Sequence, residues 1–160
     1  MQSTHNRLIL FDIDYTLFDT DHFKSSGLTE FRLYDEVIPV LETLSQRYDL
    51  GIFSEGEKEF QMAKLLKTMI DKHFKAEHKH IVVKKVDFFD SIFPAYSHKK
   101  VSLVDDKLSI LKEVSDKYPS IQTIWIKRGQ YALETQHLPG FAPDVTVTTL
   151  KEVLPLFERK

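Results

Sequence analysis

The sequence of 160 residues contains no cysteine. This absence excludes a disulfide scaffold, a thiolate nucleophile and a zinc site built from cysteine side chains. Any catalytic nucleophile or metal ligand must therefore come from another type of side chain.

Long hydrophobic runs are missing as well, and no segment approaches the roughly 20 apolar residues that span a bilayer. The apolar run near the N-terminus, LILF, is too short for the core of a signal peptide and leads directly into acidic residues. We therefore expect a cytoplasmic protein that has no membrane partner.

An excess of charge of one sign is also absent, since 22 basic and 24 acidic residues give a formal net charge of −2 at pH 7. No broad basic field indicates nucleic acid, but local basic patches leave nucleic acid open as a partner. Hydrophobic residues make up 42% of the chain and charged residues 29%, as in ordinary globular proteins. The length favours one domain over residues 1–160.

Short apolar runs alternate along the chain with segments of helical periodicity. The predicted strands are 8–11, 50–53, 80–83, 101–104 and 121–126. The predicted helices are 37–48, 60–70, 86–97, 108–118 and 149–158. This alternation predicts an α/β fold with a three-layer, Rossmann-like parallel sheet and helices on both faces.

The spacing of apolar residues also predicts which helix faces are buried. In the helix after the second strand, the predicted buried face consists of Phe60, Ala63, Leu66 and Ile70. Pro94 is expected to kink or stop the helix predicted over 86–97, near its end. The segments 20–34 and 129–144 are predicted to be the least regular parts of the chain.

Ligands of open parallel sheets bind at the carboxyl ends of the strands. The polar residues near the ends of the first four predicted strands are, in chain order, Asp12 and Asp14, then Ser54, then Lys84 and Lys85, then Asp105 and Asp106. Taken singly, each has a structural explanation as a cap or a solvated turn. Together, several carboxylates in a small volume repel one another, and an oxygen-preferring cation such as Mg²⁺ relieves that repulsion. The set predicts a magnesium site that accepts a phosphate, whose charge a lysine helps to balance.

Four motifs in these positions resemble those of the haloacid dehalogenase superfamily of phosphohydrolases. They are FDIDYTL, which resembles the DxDxT motif, Ser54 within GIFSEG, a lysine of the KK pair, and LVDD. WIKRGQY and PDVTVTTLKEVLPLF also look like the late strand and closing helix of that family. The resemblance covers almost the whole chain and implies a magnesium-dependent phosphatase that hydrolyses a phosphomonoester.

The resemblance implies a role for each matched residue. Asp12 would be the nucleophile that forms an aspartyl phosphate. Asp14 would protonate the leaving group and then activate water, and its carbonyl oxygen would bind the metal. Ser54 would hydrogen-bond the phosphoryl group, and Lys85 would neutralise charge between Asp12 and the phosphate. Lys84 remains an alternative to Lys85.

The implied magnesium site draws on Asp12, Asp14, Asp105 and Asp106. By the family pattern Asp106 is the direct ligand of the aspartate pair, and Asp105 acts through water. Tyr15 departs from the glycine that many members carry after the second aspartate of DxDxT. A tyrosine also stands there in the magnesium-dependent phosphatase group, so the departure does not argue against activity.

The cap that covers the site in many members of the family has no room in this sequence. The spans between the matched motifs are nearly filled by their predicted helices and strands, so we expect no separate cap domain and an open site. An open site admits a small or a macromolecular phosphorylated substrate, or a neighbouring subunit could cover it. The segment 19–34 is a candidate flap.

Two other classes of function use a similar set of residues. A signalling receiver domain also combines acids, magnesium, a hydroxyl and a lysine, but in a different order along the chain. A catalytically silent phosphate-binding module is the other alternative.

Overall fold

A computed structural model describes residues 5–158 of the chain. Its centre is a six-stranded parallel sheet with the strand order β3-β2-β1-β4-β5-β6. The strands are β1 (Arg7–Phe11), β2 (Asp49–Glu55), β3 (Lys79–Val82), β4 (Lys100–Asp105), β5 (Gln122–Ile126) and β6 (Val145–Val147). The predicted parallel α/β sheet is thus confirmed.

Strand β1 is central because side chains on both of its faces enter a core. Ile9 and Phe11 belong to the cluster on one face, and Leu8 and Leu10 belong to the cluster on the other. All four side chains are fully buried. The near-continuous apolar run LILF is what a parallel strand covered on both faces requires.

The helices form a layer on each face of the sheet. The α-helices are α1 (Thr20–Ser25), α2 (Val37–Ser45), α3 (Lys58–Lys67), α4 (Phe89–Ile92), α5 (Leu108–Lys117), α6 (Gln130–Glu134) and α7 (Leu154–Phe157). Buried residues of α2 and α7 pack in the cluster that contains Phe11, whereas those of α4, α5 and α6 pack in the cluster that contains Leu10. The predicted three-layer arrangement is confirmed.

Several local predictions differ from the structure. The segment 86–97 is a succession of short turns, because α4 lies between 3-10 turns at Lys85–Phe88 and Phe93–Tyr96. Pro94 lies at the start of the second of these turns, where its missing N–H costs nothing. The closing helix begins with a 3-10 turn, Leu150–Val153, before α7.

The periodicity also missed one strand and two short helices. Strand β6 has only three residues, too few to produce a recognisable apolar run. Helices α1 and α6 lie in the segments predicted to be irregular. The N-cap of α1 is Asp19, whose carboxylate accepts a hydrogen bond from the backbone N–H of His22 and contacts Arg32.

Within residues 5–158, the connections between strands hold short helices and turns, and no separate cap domain is inserted. The candidate flap, 19–34, packs on the rest of the molecule through Phe23, which is buried, and Phe31, which is partly buried. In the same part of the chain, none of the helices has the length and apolar character needed to cross a bilayer.

The central position of β1 leads to a stability prediction. We expect Leu10→Ala to lower the free energy of unfolding by about 2–5 kcal/mol, because it leaves a cavity in a fully buried site. Leu133→Ala is the matched control, since Leu133 in α6 is 74% exposed and its truncation should change stability by less than about 0.5 kcal/mol. Urea denaturation measures both, and equal effects would contradict the assignment of β1 to the core.

Candidate active site

The loop after β1 holds Asp12 at the carboxyl edge of the sheet. The Asp12 N–H donates to the carbonyl oxygen of Val104 at 3.0 Å, which continues the pairing with β4 beyond the end of the strand. The chain then turns tightly, as the N–H groups of Leu17 and Phe18 donate to the Ile13 carbonyl at 2.9 and 3.0 Å. This turn fixes Asp12 in a buried position between neighbouring strand ends.

Lys85 lies between two of the carboxylates. Its Nζ donates to Asp12 Oδ1 at 3.1 Å and to Asp105 Oδ2 at 2.6 Å, and all three side chains are buried. Burial opposes the charge of Lys85, but Asp105 and Asp12 outweigh it and raise the pKa of the ammonium well above its usual range. Lys84 is exposed, so of the two candidate lysines the structure brings Lys85 into the site.

The two aspartates after β4 differ in their hydrogen bonds. Asp105 has both oxygens occupied, since Oδ1 accepts from the Lys107 N–H at 2.8 Å and Oδ2 accepts from Lys85. Asp106 is also buried, yet its Oδ2 has no hydrogen-bond partner among residues 5–158. A buried carboxylate oxygen without a partner is costly and marks a place where a cation would bind.

The three buried carboxylates fit a divalent cation. One oxygen from each of Asp12, Asp105 and Asp106 lies within 4.8 Å of the others. An oxygen-only donor set of this kind suits Mg²⁺, which keeps several waters and needs few protein ligands. Because Asp105 is already committed to Lys85 and Lys107, the oxygens left for a metal belong to Asp12 and Asp106.

Burial and crowding shift the protonation of these groups. Burial raises the pKa of Asp12 from 3.8 to about 6; Lys85 opposes this rise and Asp105 adds to it. Burial, followed by the charges of Asp12 and Asp105, also raises the pKa of Asp106 strongly. Without a cation, the folded site therefore holds protons that the unfolded chain would release.

The Asp14 carboxylate points away from this cluster and has its own donors. Its Oδ1 accepts from Lys64 Nζ at 2.7 Å and from Thr20 Oγ1 at 2.9 Å, and its Oδ2 accepts from Gln61 Nε2 at 3.0 Å. The side chain keeps 28% of its surface exposed. The structure therefore places the carboxylate beside the cluster and not within it, which leaves the backbone carbonyl as the group that Asp14 would offer to a metal.

Ser54 lies in β2, beside β1, and is fully buried. Its Oγ accepts a hydrogen bond from Gln61 Nε2 at 2.8 Å. Gln61 and Lys64 both belong to α3, and sequence reasoning assigned neither of them to the site. The apolar periodicity of this helix predicts that Phe60 is buried, but Phe60 is exposed and Gln61 and Lys64 are buried in its place. Only the structure therefore identifies Gln61 and Lys64 as neighbours of the site.

Tyr15 has a backbone conformation that explains why glycine is common after the second aspartate of the DxDxT motif. Its φ is +63°, in the left-handed region that glycine adopts without cost. The ring of Tyr15 packs so close to Gly129 that a Cβ on this glycine would lie 2.3 Å from it. The Tyr15 carbonyl accepts from Arg128 Nε at 3.2 Å, and its hydroxyl accepts from Lys24 Nζ at 3.1 Å. These contacts hold a strained residue at the edge of the site.

A cavity of about 390 Å³ opens onto these residues. Asp12, Asp14, Lys85 and Asp106 line its polar part. Phe23, Leu28 and Phe60 form an apolar wall of the same cavity. A larger groove of about 670 Å³ lies at the opposite, amino ends of the strands and contains none of the four predicted metal-binding aspartates, so the predicted site residues belong to the smaller cavity.

Comparisons with known proteins identify the fold. No protein-family model matches the chain, and a search of curated protein sequences gives no match. Solved structures match over nearly the whole chain. A haloacid dehalogenase-like hydrolase from Burkholderia xenovorans has a TM-score of 0.81 and 20% identity, over 96% of this chain and 97% of its own.

Two further solved structures match over nearly the whole chain. The HAD-hydrolase YfnB from Bacillus subtilis, solved with magnesium bound, has a TM-score of 0.75 and 14% identity over 98% of this chain and 100% of its own. A phosphatase from Clostridium difficile has a TM-score of 0.74 and 16% identity over 96% of this chain and 99% of its own. The matched structures also include dehalogenases. The chain has the haloacid dehalogenase-like fold.

The raised pKa values predict how stability depends on pH and metal. In a chelator, Asp12 of the folded protein binds a proton that the unfolded chain releases between about pH 4 and pH 6, so its contribution to stability falls as the pH rises through this window. Asp106→Asn removes a buried acid whose pKa is strongly raised, and with it the need to bind a proton in the folded site. We therefore expect this variant to be more stable than the wild type at pH 7 in chelator, by about 1–3 kcal/mol, and to gain less at pH 4, where the unfolded chain is itself partly protonated.

Thermal denaturation with and without magnesium measures this effect. Added Mg²⁺ should raise the melting temperature of the wild type and leave that of Asp106→Asn nearly unchanged. Asp87→Asn, which alters an exposed aspartate, is the matched control and should behave like the wild type. A loss of stability in Asp106→Asn at pH 7 in chelator would contradict the repulsion between the buried carboxylates.

Proposed function

We propose that this chain is a phosphohydrolase of the haloacid dehalogenase superfamily, a magnesium-dependent phosphatase that hydrolyses a phosphomonoester through an aspartyl-phosphate intermediate. The observation that carries the proposal is the buried contact of Lys85 with Asp12 and Asp105, beside the unpartnered oxygen of Asp106. This arrangement combines a nucleophile, Asp12, with the fixed positive charge of Lys85. It also includes a buried oxygen of Asp106 that has no hydrogen-bond partner among residues 5–158. All three would face a phosphate bound in the same cavity.

In the first half of the reaction, an Asp12 carboxylate oxygen attacks phosphorus. A new P–O bond forms to Asp12 while the bond between phosphorus and the leaving-group oxygen breaks. Asp14 donates a proton to the departing oxygen, so the leaving group departs as a neutral alcohol. Lys85 reduces the repulsion between Asp12 and the incoming phosphoryl oxygens, and the Ser54 hydroxyl donates a hydrogen bond to one of them.

In the second half, a water molecule attacks the phosphorus of the aspartyl phosphate. Asp14, now ionised, takes the proton of that water, and the bond between phosphorus and Asp12 breaks. Inorganic phosphate leaves, and Asp12 returns to its carboxylate form. The same side chain serves as acid and then as base, which matches its position at the border between the carboxylate cluster and the cavity.

Asp12 and Asp106 would hold the magnesium through carboxylate oxygens, and Asp14 through its backbone carbonyl oxygen. When bound, Mg²⁺ supplies positive charge that stabilises the phosphoryl oxygens and relieves the repulsion among the acids. Asp105 would orient Lys85 and the loop of Lys107 instead of binding the ion directly.

A dehalogenase reaction is the alternative raised by the matched structures, because it too can use an aspartate nucleophile in this fold. Halide leaves carbon as a stable anion and needs no proton donor. Asp14, with its three donors, would then have no function. The position of Asp14 beside Asp12 in the cavity favours a phosphate ester, whose leaving oxygen needs a proton.

The receiver and silent-module alternatives receive less support. A receiver carries its acidic pair before a lone phosphorylated aspartate, whereas this chain places Asp12 and Asp14 first and the pair Asp105 and Asp106 after Lys85. A silent module would be expected to lack part of the catalytic set. Here Asp12, Asp14, Lys85 and Asp106 line one cavity, and Ser54 and Asp105 are buried next to it through their contacts with Gln61 and Lys85, which supports a complete set.

The nucleophile assignment predicts a variant without activity. Asp12→Asn should lower magnesium-dependent hydrolysis of p-nitrophenyl phosphate by at least about 10³-fold, because the amide cannot form the aspartyl phosphate. Asp87→Asn, which removes an exposed carboxylate, should retain the wild-type rate. Phosphate release is measured with Mg²⁺ and with chelator. Equal turnover in Asp12→Asn and the wild type would refute the mechanism.

The two adjacent lysines provide a second test of the site. Lys85→Gln should reduce kcat/KM by about 10²-fold or more, since it removes the buried charge between Asp12 and Asp105. Lys84→Gln removes the same charge from an exposed position and should change kcat/KM by less than about 3-fold. Steady-state kinetics on one substrate compare them, and the reverse order would assign the role to Lys84.

A further inference from the structure

Helix α3 buries two polar side chains and exposes two apolar ones that its periodicity predicts to be buried. Of its predicted buried face, Ile70 is buried just beyond the end of the helix, but Phe60 and Leu66 are 41% and 57% exposed. Gln61 and Lys64 are instead only 2% and 4% exposed. Three residues apart on a helix, Gln61 and Lys64 share one face, and that face points to the active site.

The contacts of this face connect two groups of the proposed mechanism. Gln61 Nε2 donates to Ser54 Oγ at 2.8 Å and to Asp14 Oδ2 at 3.0 Å. Lys64 Nζ donates to Asp14 Oδ1 at 2.7 Å. Within residues 5–158, Asp14 is the one carboxylate at salt-bridge distance from Lys64. The helix therefore holds both oxygens of Asp14 and the hydroxyl oxygen of Ser54.

The surroundings of Lys64 fix its ammonium at one place. The ammonium lies 4.7–5.8 Å from the ring centroids of Phe18, Phe23 and Phe60, whose faces attract a cation. Its ion pair with Asp14 is therefore held on three sides by aromatic rings.

We propose that Gln61 and Lys64 are positioning residues, which hold the Asp14 carboxylate in the orientation needed for proton transfer to the leaving group. The proposal rests on the phosphatase function proposed above. A carboxylate that rotates freely transfers a proton less efficiently, because the donor and acceptor must lie within hydrogen-bond distance and be aligned. Gln61 and Lys64, together with the hydroxyl of Thr20, restrict the rotation of the Asp14 carboxylate.

The hydrogen bond from Gln61 also determines how the Ser54 hydroxyl can be used. By donating to Ser54 Oγ, the amide occupies an acceptor site of the hydroxyl and leaves the hydroxyl hydrogen without an assigned protein acceptor among residues 5–158. That hydrogen is then free to point at a phosphoryl oxygen. A single side chain thereby coordinates the group that binds the phosphate with the group that protonates the leaving oxygen.

The test compares substrates that differ in their need for protonation. Departure of 2,4-dinitrophenolate needs little help from an acid, whereas departure of an alkoxide from an alkyl phosphate needs a proton. If Lys64 acts through Asp14, Lys64→Met should lower kcat/KM for the alkyl phosphate by about 10–100-fold and for 2,4-dinitrophenyl phosphate by less than about 3-fold. Gln61→Met should show the same asymmetry.

Two controls separate this role from a general loss of structure. Lys67→Met removes an exposed lysine from the same helix and should leave both substrates unaffected. The double variant Asp14→Asn/Lys64→Met should be no slower on the alkyl phosphate than Asp14→Asn alone, because a positioning residue has no effect once its target is removed. Circular dichroism and melting temperatures check that each variant is folded.

The possible outcomes are distinguishable. An equal loss on both substrates in folded Lys64→Met, with an active wild type that requires Asp12, would overturn the positioning role and leave the phosphatase function intact. Additive losses in the double variant would do the same. A wild type without Asp12-dependent phosphate release on either substrate would overturn the proposed function, and the positioning role with it.

Discussion

The structure depends on the contact between the buried ammonium of Lys85 and the carboxylates of Asp12 and Asp105. Burying several acids together is unfavourable, as the raised pKa values of Asp12 and Asp106 show. Lys85 offsets part of this repulsion but leaves one oxygen of Asp106 without a hydrogen-bond partner in the described part of the chain, 5–158. The folded chain therefore has a residual need for positive charge at the place where the proposed reaction would require a metal.

The parallel sheet makes this contact possible. Strand β1 lies between β2 and β4, so the residues that follow Phe11, Phe53 and Val104 meet at one edge. Lys85 comes from beyond β3, which β2 and β1 separate from β4, and its backbone N–H donates to the Glu55 carboxylate at 2.8 Å. A shift of one residue in any pairing would turn the polar side chains away from the cavity. Register is thus a functional constraint as well as a structural one.

Much of the fold was predictable because it follows from local patterns. The runs of β1, β4 and β5 are short and mostly apolar, as is typical of buried parallel strands, and helical periodicity alternates with them. The pattern failed where few residues or competing demands decide the structure. Strand β6 has three residues, the segment around Pro94 divides into short turns, and α3 turns two polar side chains toward the site in place of its apolar ones.

The sequence by itself determined which residue types stand at the strand ends: acids after β1 and β4, a hydroxyl in β2, and two lysines after β3. It could not choose between Lys84 and Lys85, because adjacent residues differ only in the direction that the backbone gives them. Nor could it identify Gln61 and Lys64. Their contacts with Asp14 join positions 47 and 50 residues apart, and only tertiary packing brings such distant residues together.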